Sequence, residues 1–428
     1  MPKAVLSNRI FLEADISTAE KIRKELTYSI PNFNPKGEPL VLRTYARITD
    51  KILTIPIGRV DLIPADYEII DKRNIIPAQF PEFSGQLRPS QQAIWEAIDD
   101  NAIINAWVSF GKTFTALAIA AKFKQKTLVV THTVQLRNQW VREVEKVFGF
   151  TPDIIGSGKF GLSTPIVIGN VQTLYNRMKI LYDKFGLVIV DETHHISAPT
   201  FSKVLDKSCA RYKIGLSGTI ERKDGKHVIF KDYLGTSLFQ PPAENFMPPE
   251  IHIYKSSTVL PDGDFMPWAK KVNCVCYNEI YQNEVAILAA AYAAKGHKVL
   301  VVSDRVDLLK NCAELVGDTA VCITGETDHN QREILISKIK TGKKNVLFGT
   351  QSIFCEGISL NQLSCLILAS PINNEPLLTQ LIGRVIRLEE NKLNPVIIDI
   401  NLVGNTAKRQ AQQRLGLYFK SGWKVSTI

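Results

Sequence analysis

Gly111-Lys112-Thr113, closing the stretch that begins Ala106-Trp107-Val108-Ser109-Phe110, is a residue set that could hold a phosphate. Ala102-Ile103-Ile104 before it is short and apolar enough for a buried strand, and Phe114 to Ala121 after it is rich in helix formers. A strand, a tight loop ending in Gly-Lys-Thr and a helix form a phosphate cradle. The helix N-terminus offers an anion unpaired N–H donors and the positive end of a dipole. Lys112 would reach the β- and γ-phosphates, and the Thr113 hydroxyl would hold Mg²⁺. The pattern asks for glycine where Ala106 stands and for small residues where Ser109 and Phe110 stand, so that backbone can approach the phosphates.

A second chemical cluster lies downstream. Phe185-Gly186-Leu187-Val188-Ile189-Val190 is a continuous apolar run, as a parallel strand covered on both faces requires, and it ends in Asp191-Glu192-Thr193-His194. Ligands of open α/β sheets bind at the carboxyl ends of the strands. Asp191 would hold the Mg²⁺ there, and Glu192 would orient and deprotonate an attacking water. A solvated turn after a core strand is the plain alternative; the Gly-Lys-Thr loop earlier in the chain weighs against it.

The elements around these clusters must bring them together. Thr127–Thr131, a strand, precedes Thr133–Phe148, a helix carrying Gln139-Trp140; Ile166–Asn170, another strand, precedes Val171-Gln172-Thr173-Leu174. Strands and helices alternating through short loops signal a parallel, doubly wound sheet. Thr131, Arg137, Asn170 and Gln172 fall beside the same sheet edge as Asp191 and could track a sugar-phosphate backbone, or simply cap helices. Arg88 and Gln91, at the start of a helix opened by Pro89 and Ser90, could read an adenine edge and the phosphates; as helix-start polar residues they need no such role. Tyr212–Thr219 reads as a strand ending in small hydroxyl residues.

After Gln240-Pro241-Pro242 and Met247-Pro248-Pro249 a second α/β pattern begins, with strands expected at Lys298–Ser303, Ala320–Gly325, Asn345–Thr350, Cys365–Ala369 and Pro395–Ile400. It has no second Gly-Lys-Thr, so this half would complete a site rather than bind nucleotide alone. Thr324 and Thr350, which close two of its strands, are grouped with the backbone-contacting residues. Gln380-Leu381-Ile382-Gly383-Arg384-Val385-Ile386-Arg387 sets two arginines three apart, on one face if helical. They could act as arginine fingers or form a structural pair. The tail, Thr406–Lys424, is basic, aromatic-bearing and helical in pattern, better suited to packing than to a phosphate contact.

The first 80 or so residues alternate apolar and polar positions. Ala4–Glu13 and Tyr45–Leu62 read as strands, and Thr18–Ser29 as a helix capped by Ser17 or Thr18. Lys21, Arg23, Lys24, Arg43, Arg47, Lys51 and Arg59 give this appendage a basic tint, fitting a duplex or junction contact or a solvated face.

With 428 residues the chain exceeds one core. Domains are expected at 1–82 (small α+β), 83–245 and 246–428. Hydrophobic content of 45% fits a globular protein, and a net charge of +10 favours a polyanionic partner. The seven cysteines include no C-x-x-C pair, which excludes the common zinc patterns and suits a reducing compartment. Cys274-Val275-Cys276 reads as part of a strand. The N-terminus has no secretion signal and no apolar run is of spanning length, so a cytoplasmic protein without membrane contact is expected.

In this order the blocks resemble a superfamily 2 helicase over residues 85–405. Arg88 with Gln91 resembles the Q motif, Ala106–Thr113 motif I, Asp191–His194 motif II, Ser217-Gly218-Thr219 motif III, Glu356-Gly357 part of motif V and Gln380–Arg387 motif VI. Gln139-Trp140 and the Ser-Gly-Thr stretch with Arg222-Lys223-Asp224-Gly225 resemble the XPB, RadD and phage UvsW group. Gly218 and Thr193 each stand where alanine is common. The resemblance implies two tandem RecA-like domains and an ATP- and Mg²⁺-dependent DNA motor acting on branched, single-stranded and duplex DNA, monomeric, with replication or recombination proteins as partners. Lys112, Asp191, Glu192, Gln380, Arg384 and Arg387 would be catalytic. Arg88, Gln91, Ala106–Thr113, Glu356 and Gly357 would bind ATP. An RNA helicase, a restriction-type translocase and an ATP-gated clamp are the rival readings.

Overall fold

The structure, a computed structural model, describes residues 1–30, 38–107, 109–193, 199–218, 226–242, 244, 246–263, 266–356 and 360–428. The chain forms two compact units, Met1–Ala243 and Glu244–Ile428. Among the described residues no helix is long and apolar enough to cross a membrane.

The first unit is built on an eight-stranded sheet. Its spatial order is Lys159–Phe160, Asp153–Gly156, Ile166–Asn170, Thr127–Thr131, Leu187–Val190, Tyr212–Ser217, Ala102–Asn105 and Leu238–Phe239. All neighbours are parallel except the hairpin of the first two. The apolar runs lack alternation because both faces are buried. Leu187 and Ile189 pack with Ile94, Leu117 and Trp140 under one helical layer, while Val188 and Val190 pack with Leu174, Met178 and Val204 under the other. Successive side chains on a strand point to opposite faces, so one four-residue run feeds two cores.

The second unit carries a seven-stranded, wholly parallel sheet in the order Ala320–Ile323, Val346–Thr350, Val299–Ser303, Cys365–Leu368, Val396–Val403, Glu250–Val259 and Lys424–Thr427. The fold is therefore α/β with two parallel-stranded sheets, as the alternating pattern indicated, and fits the two tandem RecA-like domains that the resemblance implied. The tail departs in part: its helix spans Asn405–Lys420 and a final edge strand, Lys424–Thr427, follows. Tyr418 and Trp423 are buried while Phe419 is exposed, and Arg414 pairs with Asp399 at 2.7 Å, so the tail is a packing element. The Cys274–Cys276 stretch ends a helix, Trp268–Cys276, rather than forming a strand.

The amino-terminal region has its own five-stranded mixed sheet and a two-stranded ribbon. The expected strand Ala4–Glu13 is a hairpin, Lys3–Leu6 with Arg9–Glu13, broken at Ser7-Asn8. The expected strand Tyr45–Leu62 is likewise split, into Ala46–Arg47, Ile52–Pro56 and a 3₁₀ turn at Val60–Leu62. The helix runs Ile16–Glu25, capped by the Asp15 carboxylate accepting from Thr18 N at 2.7 Å, and Thr27–Ile30 is already a strand. The helical period was present; the β-forming Thr27-Tyr28-Ser29-Ile30 ended it early.

This region is fastened to the sheet unit. Asp232 accepts from Tyr28 Oη at 2.9 Å, Thr44 Oγ1 at 2.6 Å and Arg59 at 3.4 Å, and Arg9 pairs with Asp206 at 2.7 Å. Gly58 is glycine by necessity, since a β-carbon there would stand 2.2 Å from the Lys231 carbonyl. Arg59 is 2% exposed, held by Asp61 and Asp232, and so is a fastening residue rather than one of the surface cations.

Candidate active site

Strand register aligns the candidate residues along one edge. Asn170 sits opposite Thr131, Val190 opposite both Val130 and Gly215, and Ser217 opposite Asn105. The residues that follow these tips, Ala106 and Asp191 among them, therefore emerge along one carboxyl edge, with the strand Tyr212–Ser217 between those two.

The loop is fixed from three directions. Ala106 N donates to Ser217 O at 2.9 Å, and Phe110 N to Trp107 O at 3.1 Å. Gln91 Nε2 donates to Phe110 O at 2.7 Å, and Arg88 donates to the same carbonyl and to Ser109 O at 3.4 Å. Gln91 in turn accepts from Arg88 N at 3.0 Å, which anchors the helix Pro89–Ala97 against the loop. Phe110, large where a small residue is expected, is 1% exposed and packs into the core with Ile94 and Ile98. Its ring is turned inward, and the loop keeps its backbone free of bulk. Gly111 adopts φ +80°, immediately before the helix Lys112–Phe123. Lys112 Nζ lies within the loop, donating to Ala106 O at 2.8 Å. Val108 lies outside the described residues.

Asp191 follows the strand Leu187–Val190 and is 7% exposed. Trp140 Nε1 donates to its Oδ2 at 2.8 Å, and Glu192 N to its Oδ1 at 3.0 Å. Glu192 takes φ +52°, a conformation that costs a non-glycine residue about 1–2 kcal/mol. Burial, with the neighbouring Glu192 charge, pushes the Asp191 carboxyl up to about 6, while Trp140 and Lys112 oppose the shift. A buried aspartate with a half-buried glutamate, beside a lysine and a glycine-initiated helix, suits Mg²⁺ with a phosphate chain, since a divalent cation offsets that crowding. Asp191 and Thr113 would hold the ion.

Both departures in sequence have local explanations. Thr193 is fully buried and donates from Oγ1 to Leu216 O at 2.8 Å, tying one strand tip to the next. At Gly218 a β-carbon would meet Lys112 Nζ at 3.6 Å, an ordinary contact, so glycine and alanine are both admissible there. His194, Thr219 and Arg222–Gly225 lie outside the described residues.

Of the residues grouped for backbone contact, Arg137 and Asn170 meet. Arg137 donates to Asn170 Oδ1 at 2.9 Å, Ser157 Oγ at 3.0 Å and Asn138 Oδ1 at 3.3 Å. It is 5% exposed, and burial lowers its pKa. Among the described residues it meets no carboxylate within 4 Å. Gln172 is exposed on the next helix, whereas Thr131 is buried with its hydroxyl donated to Gly169 O at 3.3 Å. In the second unit Thr324 is buried just past one strand, and Thr350 is half-buried at the end of another.

Gln380 and Arg384 ride on the helix Glu375–Val385. Arg387 does not: the helix has ended, and Arg387 forms an antiparallel bridge with Phe246. The expected single helical face for the two arginines is therefore absent. Arg387 donates to Asn361 Oδ1 at 3.2 Å, and burial beside Arg384 brings its pKa down to about 10. Glu356 ends the helix Gln351–Glu356, and Gly357 lies outside the described residues. Trp140 and Asn361 are the partners that sequence reasoning left unassigned. The Gln139-Trp140 pair was visible as a motif without its chemistry; Asn361 gave no signal.

Residues 84–222 match the family described as type III restriction enzyme, res subunit, and residues 282–389 match the helicase conserved C-terminal domain. The chain is 44% identical over 433 residues to a protein of Escherichia phage T5 named as a probable helicase, covering 100% of this chain and 96% of that one. The chain belongs to the superfamily 2 helicases. This helicase is also 23% identical over 458 residues to the ATP-dependent DNA helicase uvsW of Enterobacteria phage T4, covering 92% of this chain and 88% of that one. Among solved structures, the Hef helicase domain of Pyrococcus furiosus is similar in fold, with a TM-score of 0.53 at 13% identity, covering 77% of this chain and 98% of that one. ATP use follows from the family.

Proposed function

We propose that this helicase is an ATP-driven DNA motor that unwinds or branch-migrates forked and junction DNA. The observation that carries the DNA-tracking part is Arg137, a buried guanidinium held by three neutral acceptors beside the same sheet edge as Lys112 and Asp191. A phosphate is the charge partner such a group lacks. The uvsW relative is named as a DNA helicase, in keeping with a DNA substrate.

In this reading Gln91 and Arg88 hold the loop in shape for the nucleotide, and the N–H groups at the start of Lys112–Phe123 receive its phosphates. Lys112 exchanges the Ala106 carbonyl for a phosphate oxygen. Glu192 orients the attacking water and takes its proton. Mg²⁺, when bound, neutralises charge on the phosphates. Gln380, Arg384 and Arg387 are the second unit's polar and guanidinium groups suited to offsetting phosphate charge during turnover. Residues 1–82 contact the duplex or the junction.

The test is ATP turnover with no nucleic acid, single-stranded DNA, duplex DNA, a four-way junction and RNA. Strongest stimulation by the junction is expected. Stimulation by RNA alone overturns the substrate, and no stimulation by any of them leaves an ATP-gated clamp.

A further inference from the structure

The pair Gln139-Trp140 is left without a task by the reading above, yet Trp140 reaches the centre of the chemistry. It lies midway along the helix Val134–Phe148, is fully buried, and sits in the core with Val129, Ile189 and Leu117. A tryptophan placed there only for bulk would leave its indole N–H without an acceptor, a costly arrangement. Instead Nε1 donates to Asp191 Oδ2 at 2.8 Å, across 51 residues of sequence.

We propose that Trp140 is a positioning residue for metal binding, its indole N–H fixing the Asp191 carboxylate in the orientation that receives the nucleotide-bound Mg²⁺. The inference rests on the assignment of Asp191 as the metal-holding carboxylate. Asp191 is gripped twice, at Oδ2 by the indole and at Oδ1 by Glu192 N at 3.0 Å, so its side chain cannot turn about Cβ without breaking a bond. The Glu192 grip depends on a φ of +52° and belongs to the loop; the Trp140 grip belongs to the rigid core. An indole is well suited to the task because it is a neutral donor. Lysine or arginine in its place would hold the carboxylate equally well but would compete with a cation for its charge. The ring is also too wide to shift in a close-packed interior, which sets the position of the N–H tightly.

The test is Trp140→Phe, which removes the N–H and keeps an aromatic ring, assayed by equilibrium binding of a fluorescent ATP analogue in EDTA and across a Mg²⁺ titration. Affinity in EDTA is expected to stay within about twofold of the parent, while the Mg²⁺ concentration at half-effect rises about tenfold, as loss of a hydrogen bond to a charged acceptor implies. Trp140→His, which keeps a ring N–H, is expected to recover part of the loss. An unchanged Mg²⁺ midpoint overturns the proposal, and so does an equal loss in EDTA and Mg²⁺, which marks a merely structural residue. Asp191→Asn separates the two levels: if it leaves the Mg²⁺ dependence intact, the assignment of Asp191 fails first. Should Trp140→Phe not fold, the indole N–H signals of ¹⁵N-labelled parent protein give the same answer. Of the five tryptophan signals, that of Trp140, told apart from that of the loop's Trp107 by Trp107→Phe, is expected to move when Mg²⁺ joins protein and ATP, and to stay still in Asp191→Asn. No such movement in the parent overturns the proposal.

Discussion

Gln91 Nε2 donates to the Phe110 carbonyl at 2.7 Å, and a β-carbon on Gly111 would stand 2.9 Å from that same amide nitrogen. The glycine is thus required by φ +80°, and a side chain there would also push the Gln91 amide off the Phe110 carbonyl. Gly111→Ala is expected to weaken ATP binding at least tenfold, the backbone strain alone being about 1–2 kcal/mol. Gln91→Ala should also weaken binding, by freeing the loop. In the double variant the losses should be less than additive, because removing the amide relieves the clash. Calorimetric titration of the four proteins with ATP measures the coupling; strict additivity would show that the two residues do not act on one another.

Arg137 yields the clearest separation between nucleotide and strand. Arg137→Ala is expected to weaken DNA binding and to lower the slope of log affinity against log salt by about one, the mark of a lost phosphate contact. Basal ATP turnover should be unchanged. Arg137→Lys should not restore binding, since an ammonium cannot span Asn170, Ser157 and Asn138 in the planar geometry of a guanidinium. Fluorescence anisotropy across a salt series reads both effects, and an unaltered slope would reduce Arg137 to a structural fastener.

Much of this arrangement was readable in advance because it is local. The Gly-Lys-Thr loop, the apolar run into Asp191 and the alternation of strand and helix each lie within one short segment, where period and turn chemistry are decisive. The readings that failed depend on contacts made far away. Arg59 looked like a surface cation because its partner Asp232 lies 173 residues on. Phe110 looked intrusive because the core it fills, Ile94 and Ile98 among it, is assembled from another helix. Trp140 could not be assigned until Asp191 was folded against it. Arg387 fell off its expected helical face because the bridge to Phe246 captures the chain once the helix ends. The long strand Glu250–Val259 was missed altogether; it begins directly after Pro248-Pro249, whereas the first strand of the second pattern was expected only at Lys298.

Lys213 is the group from which a pH dependence of stability follows. It is fully buried near the start of the strand Tyr212–Ser217, donating to Leu205 O at 3.0 Å, with Asp206, Cys209, Arg73 and Arg9 as its charged or titratable neighbours. Burial brings its pKa down from 10.5 to about 8. Below pH 8 the lysine is protonated both folded and unfolded, and the penalty for burying the charge is fully present. Between pH 8 and 10.5 the unfolded chain retains a proton that the folded protein has released, so stability should rise with pH, by a total of roughly 3 kcal/mol from this group. Urea unfolding of the parent and of Lys213→Met across that range isolates the effect. The parent should gain stability relative to the variant as pH rises, and parallel curves would show that the lysine keeps its ordinary pKa.

Asn361 and Arg387 offer a test of the second unit on its own residues. The Asn361 carboxamide accepts from Arg387 at 3.2 Å, and burial beside Arg384 has already lowered the pKa of Arg387 to about 10, so the two guanidinium groups stand together at some cost. Such crowding is tolerable if an anion relieves it during turnover. Arg387→Ala is expected to reduce kcat by about 10³ with little change in ATP affinity, the pattern of a group that acts on the transition state. Asn361→Ala should produce a smaller loss in kcat with the same unchanged affinity, because it loosens the arginine without removing it. Steady-state ATP turnover, with nucleotide binding measured separately, distinguishes these outcomes. A rise in KM with kcat intact, in either variant, would instead assign the pair to ground-state binding.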